Sequence, residues 1–193
     1  IQFAFSSCDL LENLFNVNQN SENRIRADYT LTAAEDAYVM QNAASQNFGK
    51  VNTVKLISTN GADKQGLIKF LVPNITDKIT KAVLKIYVIN GTNNGPIIYK
   101  TTDFWSQSSV TWNNKPSVSG SMLSNPGSLS TGWKTIDVTE GVYKNTALSL
   151  VLLSDSTDAF GFRSRESQKK PQLVIQTNGS TGGTSTGGNT GGN

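Results

Sequence analysis

A period of two is the feature that most constrains this chain. In residues 79–88, ITKAVLKIYV, the apolar Ala82, Leu84, Ile86 and Val88 alternate with Lys85 and Tyr87. Side chains alternate across a strand, so this pattern turns one face to a core and the other to solvent. Further short segments of strand character lie at 36–40, 53–58, 66–70, 96–100, 109–112, 132–137, 147–153, 160–164 and 172–176. Turn signals separate them: NG at 60–61 and 90–91, NNG at 93–95 and NPG at 125–127. Many short strands with no internal repeat predict an all-β fold. The expected architecture is a two-sheet antiparallel β-sandwich of jelly-roll type over residues 34–177.

The two ends differ from this central block. Residues 1–33 read as an N-terminal extension. In it Leu10, Leu11, Leu14 and Phe15 recur at helical spacing behind Asp9, a suitable N-cap, so a short helix is expected. Residues 178–193, NGSTGGTSTGGNTGGN, hold no apolar side chain and no charge. Such a segment cannot offset the entropy of ordering and is expected to be a linker to a neighbouring domain. No stretch approaches the roughly 18–20 apolar residues that span a membrane.

Composition narrows the chemistry. Histidine is absent and Cys8 is the single cysteine. Catalysis that needs a neutral imidazole is therefore removed, as are His-ligated or multi-thiolate zinc and an intrachain disulfide. Charged residues make up only 16% of the chain, with Ser, Thr, Asn and Gly in their place, a balance of secreted β-rich proteins. Residues 34–177 carry 15 basic and 10 acidic side chains, a net +5 that favours an anionic partner.

Strand parity places several of those cations. Lys55 in TVKLIS, Lys69 in GLIKF, Lys85 in AVLKIYV, and Arg163 with Arg165 in FRSRE all fall on the side away from the core residues. Outward lysines also simply keep an exposed sheet soluble. They make a binding face only if their strands are neighbours in one sheet. Tyr87, beside Lys85, adds a ring on which a sugar could rest, or a half-buried strand residue. Asp36 is the one candidate for holding a structural calcium, set against an ordinary strand-end cap; no other cofactor is called for. Trp105 and Trp112 are expected to bury, whereas the alternation in GWKTIDVT leaves Trp133 open.

These segments carry a family likeness. EDAYVMQNAASQNFG, GLIKFLVPNI with ITKAVLKIYV, WSQSSVTWNNKP, GWKTIDVT and FRSRESQKKPQLVI occur in that order. Together they resemble the DNRLRE-type domain, carbohydrate-binding module family ninety-six, over about residues 34–177. Two positions depart from the pattern: Gln107, where the family often has Glu, and Leu71, where it often has Asp. The resemblance implies a β-sandwich in secreted or cell-surface microbial proteins. It also implies a non-catalytic module that binds an acidic polysaccharide such as alginate and is joined to a polysaccharide lyase or similar enzyme. Lys55, Lys69, Lys85, Arg163 and Arg165 suit that ligand, since Arg and Lys pair with carboxylates.

Other classes compete. One is a structural or adhesive surface domain with no glycan ligand. A glycosidase would need two paired carboxylates, and Asp103, Asp137, Asp155, Asp158 and Glu166 show no spacing that singles out a pair. A polyuronate lyase needs a base, usually His or Tyr; histidine is absent but Tyr38, Tyr87, Tyr99 and Tyr143 are present, so that reading is disfavoured without being removed. Few aromatics and a modest charge speak against nucleic acid.

Overall fold

The computed structural model of the protein describes residues 26–178. The expected helix at 9–15, Cys8 and residues 179–193 of the expected linker 178–193 lie outside them; Asn178, its first residue, is the last of a strand. Eleven strands follow in order: β1 (Arg26–Thr32), β2 (Glu35–Met40), β3 (Thr53–Leu56), β4 (Lys64–Leu71), β5 (Lys78–Asn90), β6 (Ile97–Thr101), β7 (Val118–Ser124), β8 (Gly132–Asp137), β9 (Ala147–Leu153), β10 (Phe160–Arg163) and β11 (Gln172–Asn178). The only helical pieces among the described residues are single 3₁₀ turns at Gln41–Ala43 and Thr139–Gly141. No helix among them is long and apolar enough to cross a membrane.

The strands form two antiparallel sheets, as the alternation predicts. Sheet A runs β1-β11-β5-β10-β3, with β8 also paired to β5; sheet B runs β2-β4-β9-β6-β7. The thirteen-residue β5 organises sheet A. Lys85 pairs with both Gln172 of β11 and Thr135 of β8, so those strands flank β5 on opposite sides. Val88 pairs with both Gly132 of β8 and Phe162 of β10. Strands β10 and β11 therefore share one edge of β5, and the loop 164–171 between them rises beside Tyr87.

The main core lies between the sheets. It takes Val54 and Leu56 from β3, Ile68 and Phe70 from β4, Leu84 and Ile86 from β5, and Leu148 and Leu150 from β9, with Phe162 and Ile175 from the far strands. All of these are the apolar parity positions of their strands, and burying each such side chain contributes roughly 1.5–3 kcal/mol before entropy is counted. A second cluster joins Ala37, Val39, Leu67, Trp105, Val110 and Val151 on the opposite face of sheet B. The β6–β7 connection, residues 102–117, supplies its cover. Strands β4 and β9 are consequently buried on both faces, which is why GLIKFL and ALSLVLL read as apolar runs rather than alternations.

Three segments differ from the strand expectations. Residues 109–112 form turns, because Val110 and Trp112 pack down onto sheet B from a loop rather than from a ladder. Strand β7, VSGSMLS, is an edge strand with exposed positions and irregular pairing to β6. Its burial is too slight to leave an apolar pattern. Strand β1 lies within the stretch read as an extension; it pairs in unbroken register with β11, and Tyr29 and Leu31 pack against the main core.

Candidate functional site

The outer face of sheet A gathers most of the predicted site. Arg163 pairs with Thr53, and its neighbour Phe162 with Val88, so Arg163 stands beside Tyr87. Lys85 precedes Tyr87 by two residues on the same face, and Lys55 lies exposed on β3 opposite Gly161. Directly across from Tyr87 is Trp133, 41% exposed. The two rings meet edge to face, with centroids 5.5 Å apart and planes at 82°.

Each ring of this pair carries a cation. The Lys85 Nζ lies 4.9 Å from the Trp133 centroid, and the Lys169 Nζ lies 3.6 Å from that of Tyr87. Contacts of this kind are worth about 0.5–1 kcal/mol at exposed sites. Hydrogen bonding from Lys169, followed by its charge, draws the Tyr87 phenol below the ordinary tyrosine range, and Arg163 acts in the same direction. Between β5, β10 and the 164–171 loop opens a cleft of about 690 Å³, lined among others by Asn52, Tyr87, Thr131, Arg163, Glu166 and Lys169. The acid in it is already engaged: Glu166 accepts from Gln107 Nε2 at 2.6 Å and lies 3.5 Å from Arg165.

Lys69 does not join this face, which corrects the expectation that the five basic residues line one sheet. Its parity is as predicted, away from the main core, but β4 belongs to sheet B and residues 102–117 cover it. Lys69 is 7% exposed. Its ammonium donates to the Trp105 carbonyl at 2.6 Å, pairs with Glu35 at 3.3 Å and lies 4.6 Å from the Trp105 ring centroid. A buried cation has to be satisfied in this way, because desolvation without partners is far costlier than any one contact.

Arg165 is likewise corrected. It follows β10 in a loop, and its guanidinium turns toward sheet B, where Nη1 donates to Gln107 Oε1 at 3.0 Å. Its backbone N–H donates to Asp36 Oδ2 at 2.6 Å. Asp36 is buried on β2, and burial pushes its carboxyl up to about 7 against the opposing pull of Arg165. One Asp36 carboxylate oxygen is thus taken by a backbone donor. Among the described residues no group of three or more His, Cys, Asp or Glu side chains gathers to hold a metal.

Part of the sequence likeness thus converges on a clasp, while ITKAVLKIYV and GWKTIDVT supply the open face. Glu35 Oε2 accepts the Gln107 N–H at 2.6 Å, and Gln107 Oε1 accepts the Asp36 N–H at 3.2 Å. Asn47 Nδ2 donates to the carbonyls of Gln107 at 2.9 Å and Val110 at 2.7 Å. Gly49 lets the loop approach, since a Cβ there would collide with the Gln107 carbonyl. These contacts tie EDAYV, QNFG, WSQSSV and FRSRE together and hold the tryptophan loop over sheet B. Gln107 serves well where the family often has Glu: its amide both accepts from Arg165 and donates to Glu166.

A family model, carbohydrate-binding module family 96, matches residues 27–177. The chain belongs to that family. No curated protein matches it. Family 96 membership makes this a carbohydrate-binding module, a non-catalytic class, with a polysaccharide as its partner. The matched span includes β1 and ends in β11, so it takes in both sheets and the clasp alike.

Sequence reasoning missed two members of the family 96 module's open face. Trp133 shares a parity set with Thr135 and Asp137, but only its pairing with Tyr87 shows that this set faces outward on sheet A. Lys169 sits in SQKKP, a loop with no periodicity to read, and reaches Tyr87 only because β10 and β11 share an edge of β5.

Proposed function

We propose that this module binds an acidic polysaccharide, a polyuronate such as alginate, across the outer face of sheet A. It would thereby hold an attached polysaccharide-degrading enzyme against that polymer, in a secreted or cell-surface protein. Support comes from one arrangement: Tyr87, Arg163 and Lys169 line the cleft, Lys85 lies over the Trp133 ring that meets Tyr87, and Lys55 is on the same face. The carboxylates of a uronate chain complement these cations. Each contact is open to water and worth about 0.2–1 kcal/mol. After the cost of association the affinity should be weak, about micromolar to millimolar.

The test is calorimetric titration of alginate oligomers, polygalacturonate oligomers and a neutral β-glucan into the protein at low and high salt. Binding of a uronate chain that weakens as salt rises, and weakens again in Arg163→Ala, is the expected result. Equal affinity for the neutral glucan with no salt dependence would overturn the acidic-ligand reading. Binding of none of them would favour an adhesive role.

A further inference from the structure

We infer that Lys169 is a specificity-determining residue, whose ammonium closes the Tyr87 ring to neutral sugars and opens the site to carboxylates. This deepens the reading above and rests on it.

Neutral glycans bind aromatic platforms by laying an apolar sugar face on an uncovered ring. Two such rings act as one platform only when they lie nearly parallel. Tyr87 and Trp133 do not: their planes stand at 82°, so a sugar flat on one meets the edge of the other. Lys169 also holds its ammonium 3.6 Å from the Tyr87 centroid, within the thickness that a stacked sugar ring would fill. A neutral pyranose must displace that ammonium, losing the cation–π contact and offering nothing to its charge. A uronate has no such conflict. Its carboxylate pairs with Lys169 where the ammonium already stands, with Arg163 on the adjacent strand of the same cleft.

The position of Lys169 makes this role separable from folding. It is an exposed residue of the 164–171 loop. The ordering of that loop comes from elsewhere: Ser164 Oγ donates to the Val51 carbonyl at 2.6 Å, and Ser167 Oγ to the Ser164 carbonyl at 2.8 Å.

Four proteins decide the matter: wild type, Lys169→Ala, Lys169→Met and Lys169→Arg. Each is titrated with alginate oligomers and with cello-oligosaccharides as the neutral β-glucan, after circular dichroism and melting confirm the fold. Lys169→Ala should lose about two- to fivefold in alginate affinity, the worth of one exposed ion pair, and gain measurable binding of the neutral oligomer. Lys169→Met keeps an aliphatic cover on the ring without charge, so it should lose alginate affinity and gain no neutral binding. Lys169→Arg should behave as wild type toward both. Wild-type affinity and selectivity in Ala and Met variants alike, with alginate still bound, would overturn the role of Lys169 and leave the polyuronate reading standing. A wild-type protein that binds no uronate oligomer at low salt would overturn both.

Discussion

On the outer face of sheet A, Lys85 is half-buried and lies over an exposed tryptophan. On the outer face of sheet B, Lys69 also contacts a tryptophan ring, but beneath a loop that leaves it 7% exposed. Both lysines sit mid-strand on the side away from the main core. The difference is cover. Sheet B is roofed by residues 102–117 and its lysine becomes a structural donor, satisfied by Glu35 and a carbonyl. Sheet A is left bare, and its lysines keep their charge available. The same side chain in the same strand position thus serves the fold on one sheet and faces a ligand on the other.

The most direct way to break this contrast is to remove the roof. Trp105→Ala should destabilise the domain by about 3–5 kcal/mol in urea unfolding, as large aromatic truncations in a packed cluster do. A loss below about 1 kcal/mol would mean that the loop merely rests on sheet B.

A second approach titrates the clasp that holds the roof. The Asp36 carboxyl is raised to about 7 by burial, so between about pH 4 and 7 the folded protein keeps a proton that the unfolded chain releases. Stability should therefore fall as pH rises through that window and level off above it, by on the order of 4 kcal/mol in total. Asp36→Asn, which still accepts the Arg165 N–H, should flatten the dependence in melts across this range. An equal slope in the variant would assign the titration to another group.

The two lysines give the sharpest pairing. Lys69→Ala strands the buried Trp105 carbonyl and one oxygen of Glu35, and should cost about 1–3 kcal/mol in stability. Lys85→Ala leaves no buried polar group unpaired and should cost no more than about 1 kcal/mol, the worth of its contact with the Trp133 ring. By calorimetry that same Lys85→Ala protein should bind alginate oligomers about two- to fivefold more weakly, the worth of one exposed ion pair. Equal stability losses for the two variants would erase the distinction between the faces.

The strands of the sandwich were legible because burial on one face imprints a period of two. Every member of the set Ala82, Leu84, Ile86 and Val88 lies in the core. Strands without that imprint were missed: β7 is exposed along most of its length, and β1 offers only Tyr29 and Leu31. The site was legible to the extent that parity is local. Lys55, Lys85, Tyr87 and Arg163 face outward on sheet A as read. Lys69 faces outward as read too, yet is buried: the apolar run GLIKFL carries a trace of a second covered face, but nothing local reports that residues 102–117 supply the cover.

By itself, the sequence determined the fold class, the strand faces and the family likeness, since these rest on neighbouring residues and on the side-chain period of the backbone. Tertiary structure alone decided which outward face stays open. It sent Lys69 and Arg165 into the clasp with Glu35, Asp36 and Gln107, and it brought Trp133 and Lys169 to Tyr87. Those outcomes depend on which strands share an edge of β5 and where the 102–117 loop lies. Both are set by the packing of two apolar clusters formed between segments far apart in the chain.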